Sequence, residues 1–312
     1  MKYLLFLTFI LILTGCTVTI TSNVVKEYGP EPEIYFCPRD NCELHLINLI
    51  NSAQERVHCA FYDLDLENLI DSLNKSTVDK KLVMDNVNFI NFSFSKKDWS
   101  YGLMHNKFCV IDDITWTGSF NPTVRGNTVN NNNVVVFHSK NIADAFEEEF
   151  NELWNKEFRK GEKNNKEFEV NNKPVEILFC PDDWCASRVI LTLNKAKSSI
   201  HFMTFSFTHE KIADLLIKKK GQGLIVKGVM EKSQNSKYSR YDELLAAGVD
   251  VKLDSNKANM HHKVFIIDEE IVITGSFNPT MGGDTRNDEN LVIIYDKEIA
   301  KNYINEFNLL YS

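Results

Sequence analysis

Two kinds of apolar spacing alternate along the chain. Short runs over 57–61 and 200–204 are continuous or alternate in polarity, which reads as strand. Leu44, Ile47, Leu49 and Ile50 recur instead at helical period, as do Ile212, Leu215 and Leu216. Helices are therefore expected over 44–53, 143–154, 187–196 and 299–310. One more is expected over 240–247, stopped by Gly248 and followed by a strand over 249–253. Apolar strands alternating with amphipathic helices predict an α/β sandwich.

The pattern occurs twice. Ile34-Tyr-Phe-Cys-Pro-Arg-Asp-Asn-Cys42 matches Ile177-Leu-Phe-Cys-Pro-Asp-Asp-Trp-Cys185 at a constant offset. The match continues through the helix and strand that follow, resumes where 104–137 matches 260–294, and ends in a helix in both halves. Repetition on this scale predicts two related lobes, over 32–155 and 175–312. A polar tether over 16–31 precedes them, and a linker rich in Lys, Glu and Asn over 156–174 joins them. Lobe 1 is the shorter. The stretch from Val57 to His105 is shorter than its counterpart from Ile200 to His261, and segment 86–102 stands where lobe 2 has its additional helix.

Each lobe carries one string of polar residues. Lobe 1 reads His105-Asn-Lys107, then Asp112, then Gly118-Ser119-Phe-Asn121; lobe 2 reads His261-His-Lys263, then Asp268, then Gly275-Ser276-Phe-Asn278. Side chains two apart on a strand share a face, so each lobe presents an imidazole beside an ammonium. That pair suits a phosphate diester, because the imidazole attacks phosphorus or passes a proton while the ammonium holds a charged oxygen. Ser119, Asn121, Ser276 and Asn278 follow a glycine turn and are expected to bind substrate, as neutral donors to the phosphoryl oxygens. Asp112 and Asp268 fall out of phase with the histidines and read as structural residues that tie down the next loop. A purely scaffolding role for His105 and His261 would leave a buried lysine unpaired two residues later.

The two strings resemble the signature of the phospholipase D superfamily, HxKxxxxD followed by GSxN, and the resemblance covers nearly the whole mature chain. It implies two duplicated α/β sandwich lobes packed about a pseudo-twofold axis, with the active site between them. It also implies a metal-independent phosphodiester hydrolase in which one histidine forms a phosphohistidine while the other protonates the leaving oxygen and then activates water. The two lysines carry the charge that a metal would otherwise carry, so no cofactor or metal is expected. Both half-sites lie in one chain, so a monomer is expected to be active.

The half-sites differ downstream. The resemblance implies a further carboxylate that orients each histidine. Glu289 follows Asn278 at the same interval at which Asn132 follows Asn121. Counted within each lobe, this puts a carboxylate behind His261 and an amide behind His105. His261 is then expected to be the protonated acid and His105 the neutral nucleophile; the alternative is that Asn132 marks a weakened half-site and His261 attacks. Tyrosyl-DNA phosphodiesterases resemble this split, with the first-motif histidine as nucleophile. His58, His201 and His262 are read as scaffold, and Trp116, Trp184 and Phe205 as core first and as lining of a substrate groove second.

The N-terminus adds a location. Lys2 is followed by an apolar run over 4–13, too short to cross a bilayer and the length of an export-signal core. Leu13-Thr-Gly-Cys16 resembles a lipoprotein cleavage site. Residues 1–15 are thus expected to be a signal peptide, with Cys16 lipidated and the protein held on the outer side of the cytoplasmic membrane or in the cell envelope. In an exported chain Cys37 and Cys42, and Cys180 and Cys185, read first as disulfides and second as metal ligands, while Cys59 and Cys109 read as buried small hydrophobes.

Charge bears on the substrate. The formal net charge is −8, which argues mildly against high-affinity duplex DNA binding, although Lys107, Lys263, Arg286, Lys232 and Lys237 would suit a single strand. The expected partner is a phosphodiester, with phospholipid head groups favoured by the expected membrane anchor and nucleic acid as the alternative.

Overall fold

The repeat becomes two sheets. The computed structural model describes residues 24–161 and 166–312; Cys16 and the apolar run over 4–13 lie outside them. β1 (Val25–Glu27) comes first. Lobe 1 then runs β2 (Glu33–Cys37), α1 (Cys42–Ser52), β3 (Arg56–Phe61), α2 (Glu67–Lys75), β4 (Asp79–Met84), β5 (Ser95–Lys97), β6 (Lys107–Ile111), β7 (Ile114–Gly118), α3 (Val124–Thr128), β8 (Asn132–His138) and α4 (Lys140–Trp154). After β9 (Lys166–Val170), lobe 2 runs β10 (Lys173–Cys180), α5 (Cys185–Asn194), β11 (Ser199–Thr204), α6 (Glu210–Gly221), β12 (Ile225–Met230), α7 (Tyr241–Ala246), β13 (Asp250–Leu253), β14 (Lys263–Ile267), β15 (Ile271–Gly275), α8 (Met281–Thr285), β16 (Glu289–Tyr295) and α9 (Lys297–Tyr311).

The seven-stranded sheet has the order β2-β8-β7-β6-β3-β4-β5, and the nine-stranded sheet repeats it as β10-β16-β15-β14-β11-β12-β13. Two strands extend the second sheet. β9 pairs antiparallel with β10, and β1 pairs parallel with β9. Parts of the expected tether and linker are therefore strand, because Phe168 and Val170 place apolar side chains in the core at period two.

Helices α4 and α9 lie between the sheets. Phe146, Phe150 and Leu153 of α4 and Tyr303 and Phe307 of α9 share one buried cluster with Phe108 and Val135 of one sheet and Val264 and Val292 of the other. Each large side chain buried there contributes about 2 kcal/mol. The outer face of each sheet has its own core, under α1 and α2 in lobe 1 and under α5, α6 and α7 in lobe 2. Side-chain caps set the helix starts: Thr123 for α3, Ser139 for α4, Thr280 for α8 and Asp296 for α9.

All six described cysteines are paired. Cys37–Cys42 and Cys180–Cys185 close the turns after β2 and β10, as the spacing led one to expect. Cys59 and Cys109 are buried as expected but are not free thiols. They face each other across β3 and β6 and form a disulfide, because the register of those two antiparallel strands sets them opposite. This bridge spans 50 residues of chain, against 5 for each of the others. Replacing both Cys59 and Cys109 by alanine is expected to cost about 2–4 kcal/mol, more than removing Cys37–Cys42, since stabilisation rises with loop length. Denaturant midpoints of the two double variants measure the difference.

Candidate active site

Both histidines sit two residues before the start of a strand, β6 or β14, near the C-terminal ends of the parallel pairs β3–β4 and β11–β12. The backbone of each is anchored by the opposite lobe. His105 N–H donates to Asp288 O at 2.9 Å and His261 N–H donates to Asn131 O at 2.8 Å. Met104 and Asp288, and Asn131 and Met260, form the matching isolated bridges. The lobes are thus cross-linked by main chain at the two motif histidines.

That crossing decides which side chain supports which ring. The residue after Asp288 is Glu289, and its carboxylate meets His105 Nδ1 at 2.7 Å. The residue after Asn131 is Asn132, whose Oδ1 lies 2.9 Å from His261 Nδ1; Ser119 O lies 3.1 Å from the same nitrogen. The expected pairing is therefore reversed. The carboxylate serves the histidine of the other lobe, because the bridge hands the start of β16 across the interface. His105 and His261 are each 7% exposed. With Nδ1 engaged, Nε2 is the ring atom left for substrate.

Lys107 and Lys263 are buried, and each donates one N–H back to the carbonyl of its own motif histidine, at 2.7 Å and 2.8 Å. This fixes the ammonium beside the ring and leaves two donors. Burial pulls Lys107 down to about 7 and Lys263 well below the ordinary lysine range. Burial and then the two lysine charges hold His105 well below the ordinary imidazole value; burial, Lys263 and Lys107 do the same to His261. Burial raises Glu289 to about 7. The crossed contacts of Glu289 with His105 and of Asn132 with His261 bring the two half-sites together, and an entering anion would favour the charged forms of the buried basic groups.

Ser119 and Ser276 do not take the substrate-facing role expected of them. Both are fully buried; Ser276 Oγ donates to Glu289 at 2.6 Å, and Ser119 Oγ bonds Asn132 Oδ1 at 3.3 Å. They also accept the main-chain N–H of Asn290 and Asn133. They hold the residues that hold the histidines. The preceding glycines are required by close approach: at φ 145° and 142°, a Cβ on Gly118 or Gly275 would lie 2.2 Å from Asn133 O or 2.3 Å from Asn290 O. Asn121 and Asn278 are half-buried just beyond, and neither side-chain oxygen has a partner among the described residues.

Asp112 accepts N–H groups from Gln54, Glu55 and Arg56, and Asp268 accepts them from Lys197, Ser198 and Ser199. Both are structural, but they tie the turns that lead into β3 and β11 rather than the next loop. His58 bonds Glu147 and Asp79, and His262 bonds Asn133, all within the scaffold. Trp116 is core as expected. Phe205 is not simply core: its ring meets His261 edge-on at 4.6 Å, as Tyr62 meets His105 at 4.9 Å. Trp184 is not core: it is 62% exposed at the N-cap position of α5. Tyr62 escaped the sequence reading, although it occupies the same place after β3 as Phe205 after β11.

A model of the cardiolipin synthase, PLD-like domain family matches residues 79–154 and 189–311, which is more than half of the chain and includes both His-x-Lys strings. A phospholipase D of Rickettsia typhi is 35% identical over 137 residues, 44% of this chain and 67% of that protein. A mitochondrial cardiolipin hydrolase of Xenopus tropicalis is 31% identical over 142 residues, 44% of this chain and 68% of that protein. The crystal structure of a phosphatidylserine synthase from Haemophilus influenzae superposes with a TM-score of 0.70 at 12% identity, covering 89% of this chain and 85% of that one. At that identity the likeness is one of fold.

Proposed function

The chain belongs to the phospholipase D superfamily and is a phosphodiester hydrolase, and from that premise we propose that it hydrolyses phospholipid head groups through a phosphohistidine on His105. The observation that carries the mechanism is the crossed support of the two rings. A carboxylate on Nδ1 stabilises the positive charge that appears on an imidazole once Nε2 has bonded to phosphorus, as an aspartate does for a catalytic histidine elsewhere. Glu289 gives that support to His105. His261 has only neutral oxygens on Nδ1, so its imidazolium is a stronger acid and releases its proton readily.

In the first step His105 Nε2 bonds to phosphorus while the bond to the leaving oxygen breaks, and His261 Nε2 gives that oxygen a proton. In the second step neutral His261 takes a proton from water, the water oxygen bonds to phosphorus, and the bond to His105 breaks. Lys107 and Lys263, with the amides of Asn121 and Asn278, hold the phosphoryl oxygens. The negative charge of the bound diester raises the pKa of His261 and both lysines, which supplies the proton that the acid needs. The role of His105 is thus the one expected from the sequence, for the opposite electrostatic reason.

Phospholipid is supported by the names of the relatives, a phospholipase D and a cardiolipin hydrolase. Export and anchoring through Cys16, with the enzyme active as a monomer, belong to the same proposal. Three disulfides among the described residues fit an oxidising compartment, and no helix of those residues is long and apolar enough to cross a membrane.

The test is the full chain assayed in EDTA against phosphatidylcholine vesicles and against single-stranded DNA. Choline release without DNA cleavage is expected. DNA cleavage without lipid turnover would overturn the substrate, and loss of activity in EDTA would overturn charge neutralisation by lysine alone.

A further inference from the structure

The strap between β5 and His105 lies on the active-site rim. Lys97 pairs with Met84 at the end of β4, Asp98 N–H donates to Met84 O, and Met104 N–H donates to Asp85. The strap then crosses to lobe 2. Gly102 packs against Arg286 O, Tyr101 Oη lies 3.5 Å from Arg286 Nη1, and Leu103 O accepts Asp288 N–H. It thus ends on the segment that carries Glu289.

Trp99 and Tyr101 project from this strap, 73% and 83% exposed. In lobe 2 Tyr238 and Met281 are 67% and 55% exposed and line a common cavity with Lys237. Trp99, Tyr101, Lys237 and Tyr238 lie on loops, and Met281 at the start of α8, all in segments that follow the ends of β5, β12 and β15. Large apolar side chains gathered in this way mark a contact surface, and Trp and Tyr are the residues that favour the boundary between head groups and acyl chains.

The charge of the rim fits such a surface although the chain as a whole is acidic. Lys97 Nζ lies 3.5 Å from the Trp99 ring centre, and Arg286 reaches the Tyr101 hydroxyl. Several rim carboxylates, Asp85, Asp98, Glu231 and Asp254, are buried and accept main-chain N–H groups. Cations are left outward beside the aromatics, as binding to a phosphate-bearing surface requires.

We propose that the 98–104 strap docks the active site onto a phospholipid bilayer, with Trp99 and Tyr101 entering the head-group layer and Lys97 and Arg286 against lipid phosphates. This rests on the phospholipid reading above, and names the element that delivers the diester to His105. A soluble diester would not need it.

Two measurements on the full chain test the docking. The first is tryptophan fluorescence on vesicles of phosphatidylcholine and phosphatidylglycerol with brominated acyl chains. Trp99 is the first tryptophan in the sequence, so an N-terminal anchor adds no signal of its own. Stronger fractional quenching in the wild type than in Trp99→Phe is expected; equal quenching would overturn the proposal. The second compares turnover of vesicle phospholipid with that of soluble bis(4-nitrophenyl) phosphate. Trp99→Ser with Tyr101→Ser is expected to lower the first about tenfold and leave the second within about twofold. A parallel fall in both, or no fall in either, would overturn it. A wild type that hydrolyses bis(4-nitrophenyl) phosphate but no phospholipid would instead refute the substrate, and the docking would then stand or fall on the quenching alone.

Discussion

His105→Ala is expected to lower turnover of any phosphodiester by about 10⁴-fold or more, because the residue that bonds to phosphorus has no substitute in the site. Lys107 and Lys263 would still hold the phosphoryl group, so binding should survive and the loss should fall on kcat. The remaining imidazole, His261, has neutral acceptors on Nδ1, Asn132 Oδ1 and Ser119 O. Nothing there offsets the charge that attack would create. Steady-state kinetics on bis(4-nitrophenyl) phosphate measure the effect; a loss under about tenfold would mean that His105 is not the nucleophile.

Glu289→Gln is expected to lower kcat by about 10²–10³-fold while leaving the fold intact. The amide keeps the hydrogen bond to His105 but not the charge. Its pH dependence separates it from a structural lesion. Burial raises Glu289 to about 7, so the wild-type rate should fall as pH drops through about 7 and the carboxylate takes up a proton. The Gln variant should lack that limb. Stability should move the other way. A carboxyl whose folded-state pKa lies above its unfolded value imposes its full cost above the folded value, and the cost disappears below the unfolded one. Glu289→Gln should therefore melt no lower than the wild type at about pH 8 and lose that advantage near pH 4. A lower melting temperature at about pH 8 with an unchanged pH–rate profile would contradict this assignment.

The sequence made the proposed reacting groups legible because they depend on local spacing. The His-x-Lys strings stand out by their spacing even though His105 and His261 lie just outside β6 and β14, where each lysine bonds the carbonyl of its own motif histidine, and the constant offset between the two C-x4-C segments revealed the duplication. The partners of the rings were not legible. The same count forward from Asn278 and from Asn121 found Glu289 and Asn132, but a count cannot tell which lobe a residue faces. That was settled by the Met104–Asp288 and Asn131–Met260 bridges, contacts between segments far apart in the chain. Ser119 and Ser276 misled for a related reason. A hydroxyl after a glycine turn looks substrate-facing until the strand beside it is placed, and Asn133 and Asn290 then turn it inward.

The disulfide Cys59–Cys109 was hidden by its surroundings. Both residues lie in apolar runs, and only the β3–β6 register sets them opposite. A count had the signal: six cysteines remain after Cys16, an even number in a chain expected to be exported. Strands β1 and β9 were missed because they are short and bounded by polar residues, and they gain their order by pairing with each other and with β10.

Covalent trapping separates the two histidines directly. His261→Ala and His105→Ala are each mixed with a radiolabelled phosphodiester, quenched in alkali to preserve phosphoramidates, digested and mapped. His261→Ala should accumulate label on the peptide carrying His105, because a nucleophile without its acid/base partner forms the adduct from an activated diester and hydrolyses it slowly. His105→Ala should carry no label. Label on the peptide carrying His261 in His105→Ala would contradict the division of the site into a carboxylate-backed nucleophile and an amide-backed acid.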